Sequence, residues 1–170
     1  MRFFLGLCLA LALCACATAP DRGHPSSSLQ AKTEQDWSGR LALTVTSADP
    51  SQNRTFSANF EISGSAREGS WVLWGPLGNA LARLDWSPRG ASLLSNEHGP
   101  QPQQFDSIDS LLAHTHVAGL PFVTLFDWLQ GIPTPATGWE VDLSQFNQGK
   151  LRAQRLASDP SIDLRLVLDR

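Results

Sequence analysis

Runs in which apolar and polar residues alternate dominate the sequence after residue 36, and this pattern limits the fold more than any other feature. The first two runs are WSGRLALTVTS and TFSANFEIS. Their apolar positions are Leu41, Leu43, Val45, Phe56, Ala58, Phe60 and Ile62. Because successive side chains of a β-strand point to opposite faces, a period of two predicts strands with one buried and one solvated face.

Similar runs continue on both sides of a central segment that has a different period. WVLW, in which Trp71 and Leu73 share one side, NALARLDW and RGASLLSN precede that segment, and WEVDLSQF, LRAQRLAS and IDLRLVLDR follow it. In the last run Leu164 and Leu166 face the same way. This order predicts a mainly β protein of the α+β class, built on a single curved antiparallel sheet with helices on one end or face.

The central segment predicts two short helices. In DSIDSLLAHTHVAG we expect Asp106 to be the N-cap of a helix of about three turns that ends near Gly119. In PFVTLFDWLQG, Pro121 takes the first helical position and Gly131 stops the helix. The predicted inward positions of this second helix are Phe122, Leu125, Phe126 and Leu129.

The N-terminus has the layout of an export signal. One arginine precedes an apolar stretch that ends at Leu13, and residues 1–15 are predicted to be a cleaved lipoprotein signal peptide. The run LCAC at residues 13–16 is similar to a bacterial lipobox, in which the last cysteine is acylated, so Cys16 is the predicted lipidation site. A plain secretory signal with incidental cysteines is the alternative.

A polar segment separates this signal from the alternating runs. Residues 16–36 are predicted to be the lipidated N-terminus and a flexible tether, because ATAPDRGHPSSSLQAKTEQD contains Pro, Gly and a Ser run and has no apolar period. Residues 37–170 then form one globular domain. No cysteine follows Cys16, so no disulfide is expected in that domain.

Charge and motifs exclude several classes of function. Lys and Arg number 13 against 16 acidic residues and are scattered, so no nucleic-acid-binding surface is indicated. The sequence contains neither the G-x-S-x-G motif of a nucleophile elbow nor the H-E-x-x-H motif of zinc proteases, and no thiol follows Cys16. We therefore expect a protein that is not an enzyme.

The histidines do not indicate a metal site. His114 and His116 lie two residues apart on a predicted helix and so point to different sides, which favours solvated helix residues over metal ligands. Glu97 and His98 occur in a loop with no catalytic partner nearby in the sequence. We expect neither a metal nor a cofactor.

The inward positions carry more large apolar side chains than a thin sheet with two short helices needs. Such an excess fits either a packed core or a cavity lined by these residues, and the sequence leaves both open. Trp128, placed opposite Leu125 on the second helix or at the edge of that face, either closes such a cavity or is an ordinary core aromatic.

The turn GPLG, residues 75–78, joins two predicted strands and carries a leucine where turns normally hold a polar residue. Pro76 and Gly78 favour a tight, protruding turn around Leu77. Leu77 is therefore either an exposed apolar tip or a core leucine that folds back under the sheet.

Several motifs of this sequence resemble those of the LolB family, the outer-membrane receptors of the bacterial lipoprotein-sorting pathway. These motifs are the lipobox ending at Cys16, WSGRLAL, SANFEI, WVLWGPLGNALARL, FDWLQGIPTP and LRLVLDR. The resemblance extends from Trp37 to the end of the chain. It implies an open, incomplete β-barrel with a short helical lid over a hydrophobic cavity that accepts acyl chains.

The resemblance also implies site residues. The residues predicted to line the acyl-chain cavity are Leu41, Leu43, Phe56, Phe60, Trp71, Leu73, Leu125, Trp128, Leu164 and Leu166. The loop formed by Pro76, Leu77 and Gly78 is predicted to insert into the membrane.

The same resemblance implies a function and a location. The protein would accept acylated lipoprotein cargo from a LolA-like periplasmic carrier and insert it into the phospholipid of the outer membrane, without ATP. It would act as a monomer that faces the periplasm and is anchored by acylated Cys16. The alternative is a lipid-anchored structural or binding lipoprotein with a filled core.

Overall fold

The computed structural model describes residues 35–96, 99–115, 117–156 and 159–169. The strands are β1 (Gln35–Thr46), β2 (Arg54–Gly64), β3 (Gly69–Trp74), β4 (Ala80–Ser87), β5 (Gly90–Ser95), β6 (Gln103–Phe105), β7 (Glu140–Asp142), β8 (Lys150–Arg155) and β9 (Ser161–Leu168). The helices are α1 (Ile108–Ala113) and α2 (Phe122–Leu129), and short 3₁₀ turns occupy Pro50–Gln52 and Phe146–Gln148.

The nine strands form one antiparallel sheet in the order β6-β5-β4-β3-β2-β1-β9-β8-β7. Within the described parts of the chain, the edge strands β6 and β7 do not pair with each other, so the sheet is not closed. The predicted fold class, a single antiparallel sheet in the form of an incomplete barrel with short helices, is confirmed.

The alternation predicted for the first strands is also confirmed. Leu41 of β1 lies opposite Ala58 of β2 on one side and Leu166 of β9 on the other, and all three residues are buried. The intervening residues of β1 are exposed. Three adjacent strands therefore present a continuous apolar face to the interior, and the last strand of the chain lies in the middle of the sheet.

Two of the strand boundaries that differ from the prediction are explained by side-chain hydrogen bonds or lie next to one. β1 begins at Gln35, two residues before the predicted strand, and the carboxylate of Asp36 accepts a hydrogen bond from the Ser63 hydroxyl of β2. β7 ends at Asp142, although WEVDLSQF predicts a longer strand. The carboxylate of Asp142 accepts a hydrogen bond from the Ser144 N–H at 2.9 Å, and this Asx turn ends the extended backbone.

The first helix is shorter than predicted and begins with a different cap. Ser107 is the N-cap, and its hydroxyl accepts a hydrogen bond from the Ser110 N–H at 3.1 Å, so the prediction of Asp106 was wrong. The helix ends at Ala113 and does not reach Gly119. The Thr115 hydroxyl donates to the Leu112 carbonyl at 2.8 Å, a side-chain bond that competes with continuation of the helix.

The second helix agrees with its prediction except at the first residue. Pro121 is the N-cap and Phe122 the first helical residue, one position later than predicted. Gly131 stops the helix in the left-handed conformation, with φ of +80°. The Gly131 N–H donates to the Trp128 carbonyl and the Ile132 N–H to the Asp127 carbonyl, which is the Schellman pattern of hydrogen bonds.

The sheet curves around α2. The ring of Phe126 lies 5.6 Å from the ring of Trp37 on β1 and 6.0 Å from the ring of Trp86 on β4, measured between centroids. These strands are three positions apart, which in a flat sheet corresponds to about 14 Å. One ring reaches both tryptophans because the inner face of the sheet is concave and α2 lies inside it.

Candidate functional site

The loop between β3 and β4 is a tight turn that protrudes from the sheet. The Gly78 N–H donates to the Gly75 carbonyl at 3.0 Å, and the Gly75 N–H donates to the Asn79 carbonyl at 2.8 Å. Gly78 has φ of +77°, a conformation that glycine adopts without steric cost, and no atom lies within 4 Å of where its Cβ would be. These bonds fix the turn and leave its tip in open space.

Leu77 occupies the tip of this turn. Its side chain is 95% exposed, and Pro76 and Gly78 on either side are exposed as well. The sequence left open whether this side chain is exposed or folds back under the sheet, and its exposure excludes the second orientation. The structure therefore presents an apolar side chain to the surroundings on a backbone that is held by hydrogen bonds.

All ten residues predicted to line an acyl-chain cavity belong to one hydrophobic cluster inside the curved sheet. Seven are buried, namely Leu41, Phe60, Trp71, Leu125, Trp128, Leu164 and Leu166. The other three, Leu43, Phe56 and Leu73, are half-buried and pack against the cluster. The sequence pattern thus identified a common set of inward residues from β1, β2, β3, β9 and α2.

In this structure side chains of the described residues fill the interior around the ten predicted positions, seven of which are buried. A surface groove of about 470 Å³ lies along β4, β5 and β6, and a second of about 290 Å³ lies between Val45, Thr115 and Arg155. Neither groove is lined by any of the ten predicted residues. The hydrophobic space that the resemblance implies is occupied here mainly by the buried face of α2 and by the side chains opposite it.

Trp128 is a core aromatic that shares a face with Leu125. Both side chains are fully buried, so the placement of Trp128 opposite Leu125 was wrong, since residues three apart on a helix are neighbours. The Trp128 indole N–H donates to the Thr134 carbonyl at 2.8 Å, and its ring lies 6.3 Å from that of Trp139. Trp128 therefore joins α2 to the segment that follows it.

Two indole groups from outside α2 hold its two ends, and neither contact was predicted from the sequence. Trp37 donates its indole N–H to the Leu129 carbonyl at 3.0 Å, at the end of α2. Trp139 donates to the Gly119 carbonyl, also at 3.0 Å, just before α2 begins. A tryptophan at a strand end carries no sequence signal that names its acceptor, so only the fold identifies these contacts.

Arg155 supports the same end of the helical segment. Its Nη1 donates to the Ala118 carbonyl at 2.8 Å, and its guanidinium lies 5.8 Å from the centre of the Trp139 ring. Such a cation over an indole face is a favourable arrangement. Residues from β1, β8 and the segment before β7 thus attach the helical segment to the sheet.

The outer face of the sheet carries the most strongly perturbed carboxylate of the described residues. Asp163 on β9 pairs with Arg152 on β8 at 2.6 Å and with Arg165 at 3.0 Å. These hydrogen bonds, that of Arg152 above all, lower the pKa of Asp163 from 3.8 to about 2. The trio lies on the solvated side of the sheet, away from the apolar cluster, and supports the fold.

Of the residues considered as metal ligands or catalytic groups, His114 lies in the described ranges. His114 contacts the Ser110 carbonyl through Nδ1 at 2.7 Å and its ring lies 5.2 Å from Phe105. Within the described ranges, no three potential metal-binding side chains come together. His116, Glu97 and His98 lie outside those ranges.

The predicted anchor lies outside the described residues. Cys16, the signal peptide at 1–15 and most of the segment 16–36 belong to that undescribed part, so they stay predictions. Neither of the helices described here is long and apolar enough to cross a bilayer.

Comparison with known proteins identifies the family. Residues 33–169 match the family model described as "Outer membrane lipoprotein LolB". Three similar proteins carry the name outer-membrane lipoprotein LolB. The one from Cupriavidus pinatubonensis is 32% identical over 132 residues, which are 77% of this chain and 60% of that protein.

The alignments with the other two relatives cover a larger share of each relative. The protein from Azoarcus sp. strain BH72 is 25% identical over 190 aligned positions, covering 99% of this chain and 94% of the relative. The protein from Chromobacterium violaceum is 29% identical over 143 residues, covering 84% and 74% respectively. With a family match over most of its length, this chain belongs to the LolB family of outer membrane lipoproteins.

Proposed function

We propose that this protein accepts acylated lipoproteins from a LolA-like periplasmic carrier and inserts them into the outer membrane, without enzymatic chemistry and without ATP. Acylated Cys16 anchors it to the periplasmic side of that membrane, and it acts as a monomer. The observation that carries the proposal is Leu77, an exposed leucine on a hydrogen-bonded turn. The two strands that hold this turn also line the apolar interior.

The hairpin β3–β4 links the tip to the interior. Leu73 and Ala82 lie opposite each other at the end of the hairpin and pack against the hydrophobic cluster. Leu77 lies in the turn that follows Leu73 by only a few residues. An acyl chain leaving the interior beside this hairpin therefore meets the membrane where Leu77 enters it.

Leu77 suits transient contact better than permanent anchoring. Burying one leucine side chain in lipid contributes about 1.5–3 kcal/mol. The acyl chains on Cys16 contribute about 0.8 kcal/mol for each buried CH₂ group, which sums to tens of kcal/mol and holds the protein on the membrane. Leu77 then places the hairpin in the bilayer surface without trapping it there.

Entry of an acyl chain requires α2 to move, because α2 fills the interior in this structure. Its five buried residues, Phe122, Leu125, Phe126, Trp128 and Leu129, are all apolar. A lipid chain that replaces them regains contact area at about 0.8 kcal/mol per buried CH₂ group. Burial of the lipid chain thus offsets part of the apolar contact that α2 loses when it moves.

The alternative function is a lipid-anchored structural or binding lipoprotein with a filled core. The burial of the predicted cavity residues favours this alternative, since seven of the ten are buried inside the hydrophobic cluster. The two functions differ in whether an acyl chain enters the domain. Binding of one fluorescent acyl probe per protein molecule would support the receptor function. Failure of the probe to bind would support the lipoprotein with a filled core.

The test of the proposal is Leu77→Glu in a reconstituted assay that measures transfer of labelled lipoprotein from the carrier to liposomes. We expect the variant to bind lipoprotein but to lose insertion, because a glutamate at the tip opposes entry into lipid. The matched control is Val167→Glu, which changes another exposed apolar residue, 45% exposed, on the outer face of β9.

The control is expected to fold and to transfer normally. Val167 lies between Arg40 of β1 and Lys150 of β8, and these cations favour a glutamate at that position. Unchanged insertion by Leu77→Glu would remove the loop from the mechanism. Equal losses in both variants would mean that any added negative charge interferes, which would also contradict the role proposed for Leu77.

A further inference from the structure

The β3–β4 hairpin is irregular at the point where its strands lead into the turn. Leu73 pairs with Ala82. The next residue of β3, Trp74, pairs with Ala80, so that Leu81 lies in a bulge and has no partner on β3. A bulge interrupts the ladder of hydrogen bonds and bends the strand. The pairing of β3 with β4 therefore holds the turn less firmly than an uninterrupted ladder would.

Asn96 binds this bulge from the side of β5. It directly follows Ser95, the last residue of that strand. Its side-chain Nδ2 donates to the Ala80 carbonyl at 2.8 Å, and its backbone N–H donates to the Leu81 carbonyl at 3.2 Å. Consecutive carbonyls of a regular strand point to opposite neighbours, so one residue ordinarily binds only one of them. Asn96 binds both carbonyls and thereby joins the bulge to the end of β5.

The turn above the bulge is held by bonds among its own residues. The Gly75 N–H donates to the Asn79 carbonyl at 2.8 Å, and the Gly78 N–H donates to the Gly75 carbonyl at 3.0 Å. Asn79 Oδ1 lies 2.8 Å from the position that a Cβ of Gly75 would occupy, so the Asn79 side chain packs against the turn backbone. Leu77 lies only three residues before Ala80. Because the turn holds its own shape, the direction of Leu77 is set at the base of the turn.

The contacts of Asn96 at this base are separate from the core. Ala80, Leu81 and Asn96 do not belong to the hydrophobic cluster inside the sheet, and Asn96 is exposed. Substitutions of exposed residues outside a core usually change stability little. Loss of the Asn96 side-chain bond should therefore loosen the base of the turn and leave the sheet folded.

A fixed direction favours a residue that has to enter a bilayer. A turn that samples many angles must give up this freedom when its tip inserts, and the lost conformational entropy opposes insertion. A turn that is already fixed loses less. A larger part of the free energy gained by burying Leu77 in lipid then contributes to insertion.

We propose that Asn96 is a positioning residue for membrane insertion, because it fixes the angle between the Leu77 turn and the sheet. This inference rests on the proposed function, since it takes Leu77 as the residue that enters lipid. In this role Asn96 acts only through the carbonyls at the base of the turn.

The test compares Asn96→Ala with the matched control Asn53→Ala, each made in the full lipidated protein reconstituted in liposomes. Asn96→Ala removes the bond to the Ala80 carbonyl. Asn53 is also an exposed asparagine beside a strand, and its Oδ1 accepts a hydrogen bond from the Ser47 N–H at 2.8 Å between β1 and β2. Two quantities are measured: the amount of labelled lipoprotein that crosslinks to the receptor, and the rate at which the lipoprotein enters the lipid.

We expect Asn96→Ala to slow insertion about 2- to 10-fold, which is the effect of one hydrogen bond, and to leave crosslinking unchanged. Asn53→Ala should change neither quantity. A merely structural role of Asn96 would lower crosslinking and insertion together, and that result overturns the proposal. Equal slowing of insertion by Asn53→Ala also overturns it.

A double variant tests whether Asn96 acts through Leu77. When Leu77→Ala has shortened the tip, adding Asn96→Ala should slow insertion by a smaller factor than it does alone. The same factor in both backgrounds shows independent action and overturns the proposal. Unchanged insertion by Asn96→Ala, together with loss of insertion by Leu77→Glu, overturns the role of Asn96 and leaves the proposed function intact. Unchanged insertion by Leu77→Glu contradicts the proposed function and this inference with it.

Discussion

Asp163 illustrates what a single residue contributes on the outer face of the sheet. Its side chain is 20% exposed and accepts hydrogen bonds from Arg152 and Arg165, which lie directly opposite each other on β8 and β9. Without the carboxylate, two cations would be adjacent across strands, an unfavourable arrangement. Asp163 therefore pairs with both arginines and reduces the repulsion between their positive charges.

We expect Asp163→Asn to reduce the free energy of unfolding by about 1–2 kcal/mol near neutral pH. The folded pKa of about 2 lies below the ordinary value of 3.8, so the stabilisation is present above about pH 4 and is lost as the pH falls toward 2. Urea unfolding of both proteins across this range should therefore show a difference that shrinks with acidification.

A matched control for that measurement is Asp85→Asn, which breaks the pair with Arg83. Those two side chains are 44% and 50% exposed, and exposed pairs contribute little. We expect a smaller loss of stability than for Asp163→Asn. A constant difference between Asp163→Asn and the unmodified protein from neutral pH to acid would contradict the ionic origin of the effect.

At this scale the sequence predicted which residues face inward but not what they contact. The alternation identified Leu41, Phe60 and Leu166 as inward because a strand has only two faces. The indole of Trp37 could not be assigned to the Leu129 carbonyl, because that bond joins residues 92 positions apart. The exposure of Leu77 stayed open for a related reason: a short turn allows either direction for its side chain until the turn bonds are known.

Among the elements, α2 depends on the residue that ends it. Gly131 adopts φ of +80°, and a Cβ there would lie 2.6 Å from Cε1 of Phe146. An alanine would therefore meet both backbone strain and a ring that must shift. Gly138 provides a comparison within the same chain, since its φ is +76° and nothing lies within 4 Å of the Cβ position.

We expect both Gly131→Ala and Gly138→Ala to lose about 1–2 kcal/mol from the left-handed backbone conformation. Gly131→Ala should lose more, because Phe146 must move and the Schellman bonds of α2 are disturbed. Thermal unfolding of the two variants measures the difference. Equal losses would show that neither the ring contact nor the helix end contributes.

The helices show why element boundaries were harder to predict than element types. Asp106 and Ser107 are both suitable N-caps, and the extended backbone of Ser107, with φ of −156°, decides between them. α1 stops at Ala113 because of a side-chain bond from Thr115, which the apolar spacing does not encode. Gly131 was predicted correctly as the stop of α2 because only glycine fits the left-handed position without cost.

For the whole molecule, the central question is how the closed interior opens. The helical segment is attached at both ends of α2, by Trp37 at Leu129 and by Trp139 at Gly119. A hydrogen bond of this kind contributes about 0.5–1.5 kcal/mol. Removing one should therefore shift the balance between closed and open states without unfolding the sheet.

We expect Trp37→Phe to bind a fluorescent acyl probe about 2- to 10-fold more tightly than the unmodified protein. Phenylalanine keeps an aromatic ring beside Phe126 but cannot donate to Leu129. The control is Trp86→Phe, which removes a bond to the Ser65 carbonyl in the turn between β2 and β3, keeps an aromatic ring beside Phe122 and Phe126, and leaves the hydrogen bonds at the ends of α2 intact.

The control should lose stability without binding the probe more tightly. If both variants bind the probe equally well, general loosening of the core explains the effect and the attachment of α2 does not. If neither variant binds the probe more tightly, the Trp37 hydrogen bond does not hold α2 in the interior, and packing alone does.

The architecture followed from the sequence more completely than the state of the interior did. The order of strands, helices and strands is enough to predict one curved antiparallel sheet, because short connections join neighbours. Whether side chains fill the interior or leave a cavity depends on side-chain volumes summed over all the elements that contribute to the hydrophobic cluster. Residues such as Trp128 and Leu125 would face inward in either case, so their pattern does not distinguish a filled core from a cavity.

The position of β9 between β1 and β8 has a consequence for biogenesis. The first strand needs a neighbour that lies more than a hundred residues further along the chain, and such distant pairing is slow to form. During translocation across a membrane, β1 lacks this partner, and the backbone hydrogen-bonding groups along that edge of β1 are unpaired. The nascent protein should therefore remain incompletely folded until β9 has emerged, and the sheet should then form cooperatively.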